Sequence, residues 1–365
     1  MIDYRSRWQR RRRRKTNVRR AIIAGAIVLL AAVLLIVALL GRQPVAWRYR
    51  PLARGVPYFT TDAGKLFVAW SRGGVRTLQL TTGKEAGLVE YDRPFAFSAA
   101  PAISSDLLVV GSEDFKIHAL SVGTGKVCWK YQTGGPVQAR PVVDHEQVLV
   151  GSSDGYLYCL DLPTGVLIWQ TDCAGGIAGA AALADDVVVV GTTEGHLVGV
   201  DRGTGRRLFM VGTEAAVVGP ALAIDDHTVT VGCDDGQQYV VDVRQPQQCR
   251  TVEVGGLLRL QPVADNERIY LASSSGRIVA TDREATRQLW QRDLGVVLTA
   301  GLAADEEYLY VGTSTGQIFA ISRQNGAVRH RWELQKPVIG SLVATGELVI
   351  AGLADGQIVA LPVRD

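Results

Sequence analysis

Cysteine is scarce in this chain of 365 residues: Cys128, Cys159, Cys173, Cys233 and Cys249 are all there is, and no two are adjacent. An odd count leaves at least one thiol outside any intramolecular disulfide. No cysteine follows directly on the apolar run near the N-terminus, which excludes a bacterial lipid anchor of the usual kind. Histidine is equally sparse. His118, His145, His196, His227 and His330 stand far apart, without the short spacings a zinc site needs. No Gly-x-Ser-x-Gly is present and no Gly-rich loop leads into a helix, so hydrolase elbows and phosphate cradles find no support. Acidic residues recur singly at turns and do not form the clustered oxygen set that calcium takes. We therefore expect no catalytic residue, no metal site and no cofactor.

Charge is small in sum and uneven in place. The formal net charge is +3. Residues 1–20 carry ten Lys/Arg and only Asp3 against them, so the remainder is mildly acidic. A body of that sign argues against nucleic-acid binding. Residues 21–40, AIIAGAIVLLAAVLLIVALL, hold no charge and no Pro. As a helix they would span roughly 30 Å, the thickness of a bilayer's hydrocarbon core. The rival reading is a cleaved signal, whose apolar region is usually ~7–15 residues long with small residues at its cleavage site; this run fits that pattern less well. The expected plan is a basic cytoplasmic tail (1–20), a transmembrane anchor (21–41) and a body (45–365). The basic flank would hold the N-terminus in the cytoplasm. That makes the protein single-pass in the inner (cytoplasmic) membrane, with its body periplasmic or extracellular and in contact with the membrane through residues 21–40.

The body is repetitive. A small residue ends one strand of each copy, at Ala69, Gly111, Gly151, Gly191, Gly232, Ala272, Gly312 and Gly352. The successive spacings are 42, 40, 40, 41, 40, 40 and 40. Periods of this length mark solenoids and propellers. Residues alternate within a copy, as in Tyr156-Leu157-Tyr158-Cys159-Leu160, which is strand periodicity. Asp-Gly pairs such as Asp154-Gly155 and Asp235-Gly236 supply tight reversals, since Gly accepts positive φ. The predicted fold is all-β: an eight-bladed β-propeller with four-stranded blades, preceded by one transmembrane helix.

The two ends of the body complement each other. Trp129, Trp169 and Trp290 each lie 22 residues before the next marker, and Trp47 lies 22 before Ala69. Residues 45–51 thus read as a fourth strand lacking its first three, while the C-terminal copy stops before its fourth. The expectation is that strand 45–51 pairs with the C-terminal blade and removes the free edge that would otherwise invite aggregation.

The element Asp161…Thr164-Gly165…Trp169, repeated with Phe209 after Thr204-Gly205 and without the Asp before Thr124-Gly125…Trp129, resembles the tryptophan-docking repeat of pyrroloquinoline-quinone-like propellers. One branch of that family comprises quinone-dependent dehydrogenases, which typically carry an adjacent Cys-Cys pair that this chain lacks. The other is non-enzymatic and includes the propeller lipoprotein of the outer-membrane β-barrel assembly machinery. The resemblance to that second branch implies a membrane-anchored extracytoplasmic scaffold mediating protein–protein interactions, as a subunit of a membrane-protein complex or assembly machinery, with protein partners outside the cytoplasm, integral membrane proteins among the candidates. The alternative is a quinone- or small-ligand-binding enzyme or sensor using the propeller axis. One segment breaks the repeat: between Gly83 and Pro101, two residues longer than its counterparts, lie Tyr91, Arg93, Phe95 and Phe97. Aromatics with Arg on a loop suit a partner surface; Phe97 also suits the inner strand position that Val137 holds in another copy.

Overall fold

The structure is a computed structural model, and it describes residues 45–51, 55–87 and 96–363. These hold thirty-two strands and one short 3-10 turn, Pro246–Gln248. Six sheets have four antiparallel strands each, spanning 57–87, 102–132, 142–172, 182–212, 222–253 and 263–293. Within each, strand order follows chain order, so every connection is a hairpin.

The remaining strands form one eight-stranded sheet instead of two separate blades. Its two halves touch at a single parallel pair, Ala300 with Gly340. The two strands that meet there, Leu298–Ala304 and Val338–Ala344, are the longest among the described residues, at seven residues each. The outermost strand of the C-terminal half is Trp47–Tyr49, antiparallel to Ile358–Pro362 with Trp47 opposite Ala360 and Tyr49 opposite Ile358.

The expected location, a single-pass inner-membrane protein, is corrected. No helix among the described residues is long and apolar enough to cross a membrane. The run 21–40 and the basic tail before it, on which that expectation rested, lie outside the described residues.

Burial follows strand rank. Second and third strands are buried almost throughout, as in Val187–Gly191 and Leu309–Val311, because neighbouring sheets cover both faces. Fourth strands alternate: in Leu167–Asp172 only Trp169 and Thr171 point inward. The marker glycines show how tightly sheets stack. A Cβ on Gly111 would lie 2.5 Å from Val137, on Gly151 2.2 Å from Ile177 and on Gly191 2.1 Å from Val217. The same clash recurs at Gly232 with Leu258, Gly312 with Val338, and Gly352 with Pro57. Each glycine leaves room for the residue that opens the following sheet. That is why the period shows most clearly at these positions.

Candidate functional site

Besides the packing at the marker glycines, two kinds of contact that use turn residues join successive sheets. In the first, an indole docks on the next turn. Trp47, Trp129, Trp169 and Trp290 donate Nε1–H to the carbonyls of Leu80, Leu162, Arg202 and Arg323, at 3.0, 2.7, 2.9 and 2.9 Å. Each acceptor lies 33 residues beyond its donor. The rings cover Gly83, Gly165, Gly205 and Gly326, whose φ values of 67–72° belong to the left-handed region. A Cβ there would stand 2.4–2.7 Å from the indole, so glycine serves both the turn and the close approach. The turns are held by carboxylates: Asp161 accepts from the Thr164 amide at 3.0 Å and from its hydroxyl, and Asp201 accepts from Thr204 in the same way. Those bonds from Thr204 hold the Asp201 pKa below its ordinary value.

Across the sheet, each docking residue faces a small one: Ala360, Ala119, Cys159 and Ala280 oppose Trp47, Trp129, Trp169 and Trp290. Cys159 is thus a buried small residue beneath an indole. The register also shows what replaces tryptophan elsewhere. Phe209 opposes Gly199, Arg250 opposes Val240, His330 opposes Ala320 and Gly87 opposes Thr77. The copy near 242–250, which lacks both Thr-Gly and Trp, therefore places an arginine at the docking position.

The second contact escaped the sequence reading. Arg202, Arg244, Arg283 and Arg323 each follow the third strand of their sheet and reach back to the sheet before. Arg202 pairs with Asp144 at 2.5 Å, Arg244 with Asp185 at 2.9 Å and Arg323 with Asp265 at 2.5 Å. Arg283 donates instead to the carbonyls of Ile224 and Asp265. Tyr270 stacks on Arg323, 5.5 Å from ring centre to guanidinium, and donates to Asp265 at 2.8 Å. Burial pushes the Asp265 carboxyl up, but hydrogen bonds from the Glu267 amide, Arg323 and Tyr270 outweigh it and leave the pKa below normal. The arginine spacings of 42, 39 and 40 carried the repeat signal; their carboxylates, 58 or 59 residues earlier, gave no local sign of the pairing.

Of the four residues proposed as a partner surface, Phe97 is corrected to core. It is 2% exposed and packs with Ala69, Phe67 and Val110, in the series of Val137 and Ile177. The marker in its cluster is Ala69, on the strand Lys65–Trp70, which is buried at every residue but Lys65. Tyr91, Arg93 and Phe95 lie outside the described residues.

The first strands and the segments leading into them line one central cavity of about 750 Å³. A second hollow of about 460 Å³ shares Thr60, Thr61, Arg140, Ala180 and Gln261 with it. At one end Glu113 accepts from Ser98 and, at 3.1 Å, from Gln138. Arg259 is held by Asp234 at 2.9 Å, which raises its pKa. Among the described residues no group of three or more His, Cys, Asp or Glu is placed to hold a metal. All five cysteines are free thiols. Burial pushes the Cys159 and Cys173 thiols up to about 12.

Solved structures with this fold include BamB from Moraxella catarrhalis, at 21% identity and a TM-score of 0.72, covering 88% of this chain and 98% of that one. A computationally designed protein, Ika8, matches at 18% identity and a TM-score of 0.76, covering 87% of this chain and 99% of its own. No curated protein matches the chain. Residues 132–298 and 274–365 match the family model described as outer membrane protein assembly factor BamB, and together they cover more than half of the sequence. With the docked tryptophans, the repeated turns and the four-stranded sheets, this match identifies the chain as a member of the BamB-like branch of the pyrroloquinoline-quinone-like propeller family.

Proposed function

We propose that this chain is a non-enzymatic scaffold that holds protein partners in an assembly machinery, and that its body, 45–365, is an eight-bladed propeller closed by the strand 45–51. The observation that carries the functional reading is the family match, whose namesake is an assembly factor. For the blade count, the two halves of the eight-stranded sheet repeat the four-strand pattern of the other six and touch at one residue pair. Trp47, Trp129, Trp169, Trp290, the marker glycines and the Asp161-Thr164-Gly165 turn make up the rigid frame, and Tyr91, Arg93 and Phe95 are candidate contact residues.

The rim offers a further surface for a partner. Val166, Ile168, Leu208 and Met210 are 64, 45, 41 and 43% exposed, on the outer edges of two sheets adjacent in sequence. Large apolar side chains grouped on a surface suit protein contact. The test is site-specific photo-crosslinking in the native host, with the probe at Arg93, Ile168 or Met210 of the full chain. A scaffold gives discrete adducts, with an assembly-machinery component identified by mass spectrometry. Absence of adducts at all three positions, or quinone-dependent dehydrogenase turnover by the purified protein, refutes the reading.

A further inference from the structure

The residues that face the middle of the central cavity stand three positions after those that fill the marker glycines. Four are polar: Thr60, Arg140, Gln261 and Ser341; their four equivalents are Ala, Pro or Gly. Arg140 is thus the single charge of this layer. Its one hydrogen bond among the described residues is a long one, from Nη2 to Thr60 Oγ1 at 3.4 Å. It makes no ion pair among the described residues, whereas the other arginine of the cavity, Arg259, has Asp234 as a two-pronged partner. A guanidinium has five N–H donors, and most of those on Arg140 have no protein acceptor among the described residues. The side chain is open to cavity water but ringed by protein, and the desolvation lowers its pKa. A charge held this way gains from a counter-ion more than a surface arginine does.

We propose that Arg140 is the anchor of an anion site in the central cavity, and that the site takes a small organic carboxylate. The planar fork of a guanidinium matches a carboxylate with two parallel hydrogen bonds. Thr60 sits beside it to add a hydroxyl donor. The Ser341 hydroxyl oxygen already accepts from the Phe59 amide at 2.8 Å, so its own proton is directed elsewhere. Gln261 borders both hollows and can donate through its carboxamide. The Ala, Pro and Gly positions leave an uncharged wall with space beside the arginine, and a cavity of about 750 Å³ admits an organic acid of several carbons. A free metabolite and the C-terminal carboxylate of a peptide share this chemistry. The site is independent of the scaffold reading, since it lies in the cavity and not on the rim.

The test is a titration of the full-length protein with citrate, with tri-alanine and with tri-alanine amide. Affinities of the wild type and the variants are read by isothermal titration calorimetry, and the guanidinium ¹⁵N–¹H resonance of Arg140, identified by its absence in Arg140→Lys, reports by its shift where the ligand sits in the wild type. Saturable shifts with citrate or tri-alanine, and none with the amide, are the expected result. Citrate alone identifies a free acid as the occupant; tri-alanine alone identifies a peptide terminus. Arg140→Gln should weaken binding by about 10–100-fold, the worth of charge-assisted hydrogen bonds. Arg140→Lys keeps the charge and loses the fork, so it should bind more weakly than wild type and more tightly than Arg140→Gln. No saturable shift in the wild type, or equal shifts with chloride at matched ionic strength, overturns the proposal, as does undiminished binding by a folded Arg140→Gln.

Discussion

Replacing Trp47 by alanine in the full chain tests how the ring of sheets is held shut. Trp47 is 8% exposed and packs in one cluster with Phe59, Leu66, Val68, Trp70, Ile350, Ile358 and Ala360, drawn from both ends of the body. Its indole covers Gly83 and donates to Leu80. Truncating a buried tryptophan costs ~3–5 kcal/mol. Losing the indole leaves the Leu80 carbonyl without that donor, a further ~1 kcal/mol. The strand it anchors is only Trp47–Tyr49, and besides the ladder to Ile358–Pro362 it keeps the Tyr49 hydroxyl's bond to Glu85 at 2.6 Å. With unfolding entropy near 2 cal/mol/K per residue, each kcal/mol moves the Tm of a body this size by about 1.5 °C. The expected loss is therefore about 6–9 °C. Trp169→Ala, which removes the same dock inside the ring, is the control. It should cost the same without exposing an edge, whereas Trp47→Ala should also raise light scattering below the Tm, because the bared strand can pair with other molecules. Differential scanning calorimetry with light scattering reads both. A Tm drop under about 2 °C for Trp47→Ala, or scattering no greater than for Trp169→Ala, refutes the reasoning.

Three further outcomes follow from the same geometry. Gly191→Ala places a methyl 2.1 Å from Val217 and should cost ~1–3 kcal/mol by overpacking; Val217→Ala in the same chain should recover part of it, and simple additivity in urea melts would contradict the contact. His118 is buried against Asp114 at 3.1 Å, and desolvation, outweighing that carboxylate, holds its pKa below the ordinary 6.5. The native state thus favours the neutral ring: its contribution is present above pH 6.5 and is lost as pH falls through the depressed native value. Tm should decline over that interval and decline less in His118→Gln, with identical profiles speaking against the assignment. Native-state labelling with a maleimide should modify exposed Cys128 first, half-buried Cys249 slowly, and Cys159, Cys173 and Cys233 only after unfolding; rapid labelling of Cys159 would contradict its place under Trp169.

The repeat could be read along the chain because its causes are local or strictly periodic. A glycine is required wherever the next sheet's first residue fills the space of a Cβ, as at Gly151 and Gly191, and wherever an indole covers a left-handed turn, as at Gly165 and Gly205. Such steric demands leave a residue type behind, so period, strand alternation, turns and docking tryptophans all stand in the sequence. Contacts between residues whose types permit many roles do not. Arg202 and Asp144 are ordinary surface residues until the stacking of two sheets brings them to 2.5 Å. Phe97 looks the same on a loop or in a core; its burial depends on the strands that close around it. Whether the last two groups of strands count as one sheet turns on a single backbone pair, Ala300 with Gly340. The environment of Arg140 is the clearest case, because a charge without a counter-charge is a property of everything around it. Only the convergence of first strands from distant parts of the chain puts Thr60 beside that guanidinium, with Ala, Pro and Gly on the surrounding wall and no carboxylate paired with it among the described residues.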